Sequence, residues 1–330
     1  LFKSLYALPL FLLNISISSG VLFLALRHTP YLKHIFQELK NKIDWFFSVI
    51  KADLVLLCIF GLFLISVCWM IFLGYLLPSY AWDALWYHLP MVGYIIQNGA
   101  IQENPIPSLI NQLINTYPKN IELFFLWNAI FLKSDIIVDL SQLPFSIAGV
   151  LTIYSICIKL RIKREYAIYS SLLFFFTPVI ILQSTTNYVD IAVSVLFLIA
   201  INFLMYDEPK NYTDNRGFIN LREIKIPILL SGLTTGILLG SKGSGPIFVV
   251  VLSTVIIIQE VIRRINPSNI ISSRHKGYCT SNNKCLIKEG LIHYLIYFIT
   301  PIFLMGGYWY IKNWVLYNNP VYPMDVSLFN

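Results

Sequence analysis

An all-α, polytopic transmembrane helix bundle of about eight spans is the fold class this sequence predicts, and three observations predict it. The chain is 57% hydrophobic and only 12% charged, where a soluble domain carries about 25% charged residues; its mean hydropathy is +0.68. Its apolar residues gather into runs close to the length of about 20 residues that a helix needs to cross a bilayer. Its basic residues fall into blocks between those runs. The net charge of +7 therefore reads as membrane topology, and no nucleic-acid partner is expected.

Taken in order, the predicted spans are Leu5–Leu26, Leu54–Leu77, Ile136–Ile158, Ala167–Leu182, Ile191–Tyr206, Ile226–Leu239, Gly245–Ile262 and Leu291–Ile311. Residues 1–53 are expected as an N-terminal span and a basic cytoplasmic segment ahead of a main module at 54–330. The chain starts at Leu1 and stops at Asn330 just past an apolar run, so a longer protein, cut at its C-terminus, is expected. Leu54–Leu77 leads into the longest stretch between spans, 78–135. There Pro90 suits the first turn of a short helix over Met91–Gln97, which the turn signal Asn98-Gly99 ends. Pro118 suits the start of a second helix, Ile121–Leu132, too short to cross and placed at the interface. A connection this long is usually functional. No internal repeat is evident.

The segments 27–51, 159–164, 207–225 and 263–290 hold five, four, four and six of the chain's 24 lysines and arginines. If Ile121–Leu132 does not cross, all four lie on one side, the cytoplasmic one by the positive-inside rule. The opposite face then carries 78–135, 183–190, 240–244 and 312–330. Cys58, Cys68 and Cys157 lie inside apolar runs and read as small core residues. Cys279 and Cys285, with His275 nearby, sit in a basic loop at no standard zinc spacing.

The outer face collects the chemistry-bearing residues. Asp83 follows a span and stands among Tyr80, Trp82, Trp86 and Tyr87, aromatics suited to the headgroup level. An acid there is costly unless paired, hydrated or used, so Asp83 is either one hydrated acid in a belt or a general base. His88, five residues on, reads first as an interfacial histidine bonded to backbone; near neutrality it can also donate to a phosphate or exchange a proton. Glu122 opens the interfacial helix, where the helix dipole favours an acid. Asp190 follows the polar loop containing Asn187 and Tyr188 and is either a first-turn acid or a site residue. Gly240-Ser241-Lys242-Gly243-Ser244-Gly245 is a tight outer turn before a helix N-terminus, a setting for anions, although its glycine spacing is not that of the nucleotide P-loop. Asn313, Tyr317 and Tyr322-Pro323 follow the last span.

Four stretches carry a family pattern: Trp82-Asp83-Ala84-Leu85-Trp86-Tyr87-His88-Leu89-Pro90 with Asn98-Gly99; Tyr117-Pro118-Lys119-Asn120-Ile121-Glu122-Leu123; Thr177-Pro178 through Tyr188-Val189-Asp190; and Lys312-Asn313-Trp314 through Tyr322-Pro323. Their order and sidedness resemble the GT-C membrane glycosyltransferases, among them the protein O-mannosyltransferases, the lipid A aminoarabinose transferase and bacterial relatives. The likeness covers roughly residues 54–330. It implies transfer of a sugar from a polyprenyl-phosphate-linked donor to an acceptor hydroxyl of a glycan, lipid or protein. The reaction would take place at the extracytoplasmic face of the plasma (inner) membrane, among membrane lipids. Carried over, Asp83 is the general base. Lys242 and His88 are candidates for the phosphate side on chemical grounds, and Asp190 and Glu122 for orienting hydroxyls. Tyr87, Asn187, Tyr188 and Asn313 line the substrate. The acid pair common in such first loops is missing, since Ala84 follows Asp83. A divalent metal therefore lacks its adjacent ligands, and no cofactor is expected. The alternative is a non-catalytic transporter or flippase for lipid-linked glycans, which would place its ionisable residues near the bilayer midplane.

Overall fold

The computed structural model describes residues 7–26, 29–105, 108–132, 134–205, 221–265 and 294–324. Among them the fold is all-helical, 81% helix with no strand. The basic loop with His275, Cys279 and Cys285, and most of the basic segments 207–225 and 263–290, lie outside the described residues. Contacts divide the chain into two compact units. The first comprises Leu1–Asn115, Glu122–Ile158 and Ile162–Ile191; the second comprises Thr116–Ile121, Lys159–Arg161 and Ala192–Asn330.

The first unit begins with α1 (Ala7–Leu26), α2 (Thr29–Ala52) and α3 (Leu54–Leu76). The basic segment after the first span is thus a helix, which its charge count did not announce. Trp45, Phe46, Val49 and Ile50 recur at helical spacing and pack one face of α2 on the unit's core, while Lys40, Lys42 and Lys51 stay exposed. Asp53 separates α2 from α3, and its carboxylate accepts from the N–H groups of Val55 (2.9 Å) and Leu56 (3.2 Å), satisfying donors that a helix start leaves open. In α3 only Leu56, Met70 and Gly74 are buried. Leu54 is 74% exposed and Ile65 67%. A helix apolar all round whose sides stand uncovered is not the core helix of a soluble domain.

Next come α4 (Leu89–Asn98), α5 (Leu109–Thr116) and α6 (Asn120–Leu132). Pro90 sits in the first turn of α4, and Gly99, at φ 59°, ends it in the left-handed conformation that glycine adopts without strain. The expected span Ile136–Ile158 is a 3₁₀ turn, Val138–Gln142, followed by α7 (Leu143–Lys159). The expected span Ala167–Leu182 is corrected. It is two helices, α8 (Arg164–Phe175) and α9 (Pro178–Gln183). Pro178 lacks an N–H and pushes Thr177 to an extended ψ of 127°, which interrupts the helix. The core of this unit is Ile50, Leu56, Met70, Leu143, Val150, Ile168, Leu172 and Phe175.

α10 (Asp190–Leu204) leads into the second unit, which holds α11 (Leu221–Leu239), α12 (Gly245–Ile265) and α13 (Thr300–Tyr317). α11 and α13 touch through glycines. A Cβ on Gly232 would stand 2.7 Å from the Phe298 carbonyl oxygen, one on Gly236 2.8 Å from that of Pro301, and one on Gly306 would overlap the Gly236 carbonyl. Small residues four apart let helix backbones approach this closely. Ala200, Leu239, Leu252, Phe298 and Ile302 form the core here.

Among the described residues, two helices are both long and apolar enough to cross a membrane, Leu54–Leu76 and Val138–Lys159. Leu8–Gly20, Asn120–Phe131, Asp190–Leu204, Ile226–Leu239 and Gly245–Gln259 are shorter apolar helices.

Candidate functional site

In the first unit the site is built on a widened helical turn. Ala84–His88 form a π turn that runs directly into α4, closed by the Leu89 N–H on the Ala84 carbonyl. Pro90 explains it. A proline cannot donate to the carbonyl four residues back and collides with it, and widening the turn relieves both. A second π turn, Leu295–Ile299, stands in the same register before Pro301, which supports the explanation. Such wide turns are frequent at functional sites.

The turn sends two titratable side chains to different surroundings. Asp83 is partly buried and caps nothing; among the described residues its carboxylate forms no hydrogen bond or ion pair. Trp82 and Trp86 lie beside it with ring centroids 5.6 Å apart, both exposed. His88 is buried, and its Nδ1 meets Oε1 of buried Glu122 at 2.8 Å. With Nδ1–H donated to the carboxylate, Glu122 fixes the orientation of the imidazole ring. The His88 ring packs against Tyr87 (4.1 Å) and edge-on to Phe125 (6.3 Å). Among the described residues the second Glu122 oxygen, Oε2, has no hydrogen-bond partner. The sequence names His88 and Glu122 separately; the fold makes them one buried pair.

Asn187 and Tyr188 enter a second polar cluster of this unit. Ser79 Oγ donates to Asp139 at 2.7 Å, Asn187 Nδ2 donates to Asp139 and to Ser79 Oγ (3.2 Å), and Gln142 donates to the Tyr188 carbonyl. Asp139 was missed. Its signal was present, an acid inside an otherwise apolar predicted span. Asp190 is the first residue of α10, where the helix dipole favours it.

The second unit holds Lys242 and Asn313. Lys242 lies in the turn between α11 and α12, whose Leu239 and Lys242 carbonyls accept from Tyr310 Oη at 3.0 and 3.4 Å. Asn120, also missed as a site residue, ties this region together. Its Nδ2 donates to the Ile237 and Met305 carbonyls (3.1 and 2.9 Å), its Oδ1 accepts from Trp309 Nε1 (2.9 Å), and its backbone N–H donates to Gly240 (2.8 Å). Gly240 is glycine because a Cβ there would overlap the Asn120 amide. Buried Lys119 holds its ammonium 5.0 Å from the centre of the Trp309 ring, a cation–π distance. It also donates to the Tyr117 carbonyl at 2.7 Å. Asn313 Nδ2 donates to the carbonyls of Thr116 (2.9 Å) and Tyr322 (3.3 Å), beside a small cleft.

Among the described residues no three His, Cys, Asp or Glu side chains gather as a metal site. No known family model, curated protein or solved structure matches the chain.

Proposed function

We propose that the chain is a multi-spanning membrane glycosyltransferase of the GT-C type, of about eight spans, working at the extracytoplasmic face of the plasma membrane. The observation that carries the reading is Asp83: a partly buried carboxylate with its lone pairs uncommitted, placed just after a long apolar helix whose sides are uncovered. Support for the further spans comes from the shorter apolar helices and from the π turn before α13, which keeps the chain helical from 294 to 317.

In the mechanism, Asp83 takes the proton of an acceptor hydroxyl as that oxygen attacks the anomeric carbon of a polyprenyl-phosphate-linked sugar. The new C–O bond forms while the bond to the phosphate oxygen breaks, and the electron pair leaves with the phosphate. The departing charge needs a cation or hydrogen-bond donors to receive it. His88 does not serve the phosphate directly in this reading, because it is buried against Glu122; it braces the turn that carries Asp83.

The test is transfer from a panel of labelled polyprenyl-phosphate hexoses and pentoses in membranes holding wild type or Asp83→Asn. The variant inserts normally and loses transfer; full transfer by it overturns the mechanism. The break between α8 and α9 favours the transporter reading instead, since discontinuous helices are common there. Movement of a lipid-linked glycan across reconstituted vesicles without any transfer would decide for it.

A further inference from the structure

We infer that α2 lies flat on a membrane surface and binds its anionic headgroups, with Phe36, Leu39, Ile43 and Phe47 seated among the first acyl carbons. These four recur at steps of three, four and four, so they form one row along the helix. All are exposed, Phe36 at 67% and Leu39 at 50%. The face that packs on the unit's core, through Trp45, Phe46, Val49 and Ile50, begins only beyond them; over residues 36–44 every side chain is exposed. A contiguous row of large apolar side chains left bare on a helix marks an interaction surface.

The position of α2 selects lipid as its cover. α2 joins α3 through Asp53 alone, and the Phe60 ring of α3 meets those of Phe46 and Phe47 at 5.5 and 6.4 Å. α2 is thus tied to the start of a helix long and apolar enough to cross a membrane, whose own first residues Leu54, Val55 and Leu57 are exposed. It cannot follow α3 into the bilayer, because Gln37, Glu38, Lys40, Asn41, Lys42 and Asp44 would go with it. Lying in the interface buries the row and leaves the polar side in water.

Charge selects the kind of lipid. By the 3.6-residue period, Lys40 and Lys51 flank the row on one side and Lys42 on the other, all three exposed. Their long stems run along the apolar edge and carry the ammonium groups to headgroup phosphates. Glu38 and Asn41 fall on the far side. α2 holds four lysines against two acids, Glu38 and Asp44, which suits an anionic cytoplasmic leaflet, the side where the positive-inside rule puts this segment. A second copy would set the same lysines against these. The inference rests on the membrane-spanning part of the proposed function and not on sugar transfer.

The experiment is hydrogen–deuterium exchange of the full chain in nanodiscs that hold a single copy, made of phosphatidylcholine alone or with phosphatidylglycerol added. The amides of residues 36–44 exchange about tenfold or more slowly in the anionic discs, as two or three lysines at an anionic surface predict. Lys40→Gln/Lys42→Gln/Lys51→Gln removes the difference between the two lipids. Leu39→Gln/Ile43→Gln, which introduces a good helix former, speeds exchange in both. Equal exchange of the wild type in the two lipids, a difference that survives loss of the lysines, or slow exchange that appears only in discs holding two copies overturns the inference. Slow exchange of α3 in both lipids leaves the spanning reading standing in each of those cases; rapid exchange throughout α3 overturns both.

Discussion

Among the described residues the first unit buries three ionisable side chains within a larger set of neutral ones: His88 on Glu122, and Asp139 between Ser79 and Asn187. In the second unit the buried ionisable side chain among the described residues is Lys119, over the Trp309 ring, while buried Asn313 and partly buried Asn120 and Tyr310 give their donors to backbone carbonyls. The second unit uses its neutral donors to pin loops and helix ends together, and its tightest helix contact is made by glycines. The first keeps charged and proton-exchanging groups, one of which, Asp83, is left uncommitted. The contrast separates chemistry from scaffolding. Substitution of the uncommitted Asp83 should cost activity, and substitution of side chains whose donors are all engaged should cost folded protein.

The largest effect is expected at Asp83. Asp83→Asn keeps size and polarity and removes the base, so transfer falls by about 10²–10⁴-fold while the amount of folded protein stays at the wild-type level. A loss of folded protein matching the loss of transfer would place Asp83 with the scaffold and break the contrast.

Next is the His88–Glu122 pair. Glu122→Leu leaves the buried imidazole without its partner and destabilises the first unit by about 1–3 kcal/mol, whereas replacing both residues with leucine recovers most of that loss. Thermal unfolding of the two singles and the double in detergent measures the coupling. Additive effects would mean that the pair is not a unit, whatever its 2.8 Å separation.

The sequence carried the element types well because the forces behind them are local. Pro90 and Gly99 bracket α4, Asp190 heads α10, and glycine clusters mark close turns. It carried α2 poorly: five basic residues read as a solvated cytoplasmic segment, while the row of Trp45, Phe46, Val49 and Ile50 needed a partner surface before it meant anything. The break at Pro178 was legible as a proline inside an apolar run, but run length outweighed it. In the site, residue types were legible and pairings were not. His88 and Glu122 are 34 residues apart, Asn120 and Trp309 189 apart, and no local pattern records such contacts. Asp139 was legible and overlooked, because the span around it was read for its length.

A smaller contrast lies between helix surfaces. Gly306→Ala drives a Cβ into the Gly236 carbonyl of α11 and should cost about 1–3 kcal/mol by overpacking. Gly61→Ala, in α3, meets nothing within 4 Å among the described residues and should stabilise by up to about 1 kcal/mol through helix propensity. Thermal melts of the two variants compare them directly. Damage at Gly61 equal to that at Gly306 would show that another protein surface, not lipid, covers this part of α3.

The smallest effect separates charge from capping at the foot of α3. The Tyr169 hydroxyl donates to Asp53 at 2.6 Å, and the N–H groups of Leu56 and Val55 add to it. Together, and against the opposing effect of desolvation, they hold the Asp53 carboxyl below the usual carboxylate range. A carboxyl whose value is lowered by folding contributes stability above its unfolded value of about 3.9. That contribution disappears as pH falls through the lower folded value. The Asp53→Asn variant would still cap the helix through its amide oxygen but would not titrate. The stability difference between wild type and Asp53→Asn should therefore be constant from pH 7 to 5 and shrink to nothing in strong acid. A difference that persists at low pH would assign the residue's whole effect to cap geometry, and ionised groups would then mark only the working parts of the first unit. A difference that vanishes makes Asp53 a charge used purely as scaffold, the exception that bounds the contrast.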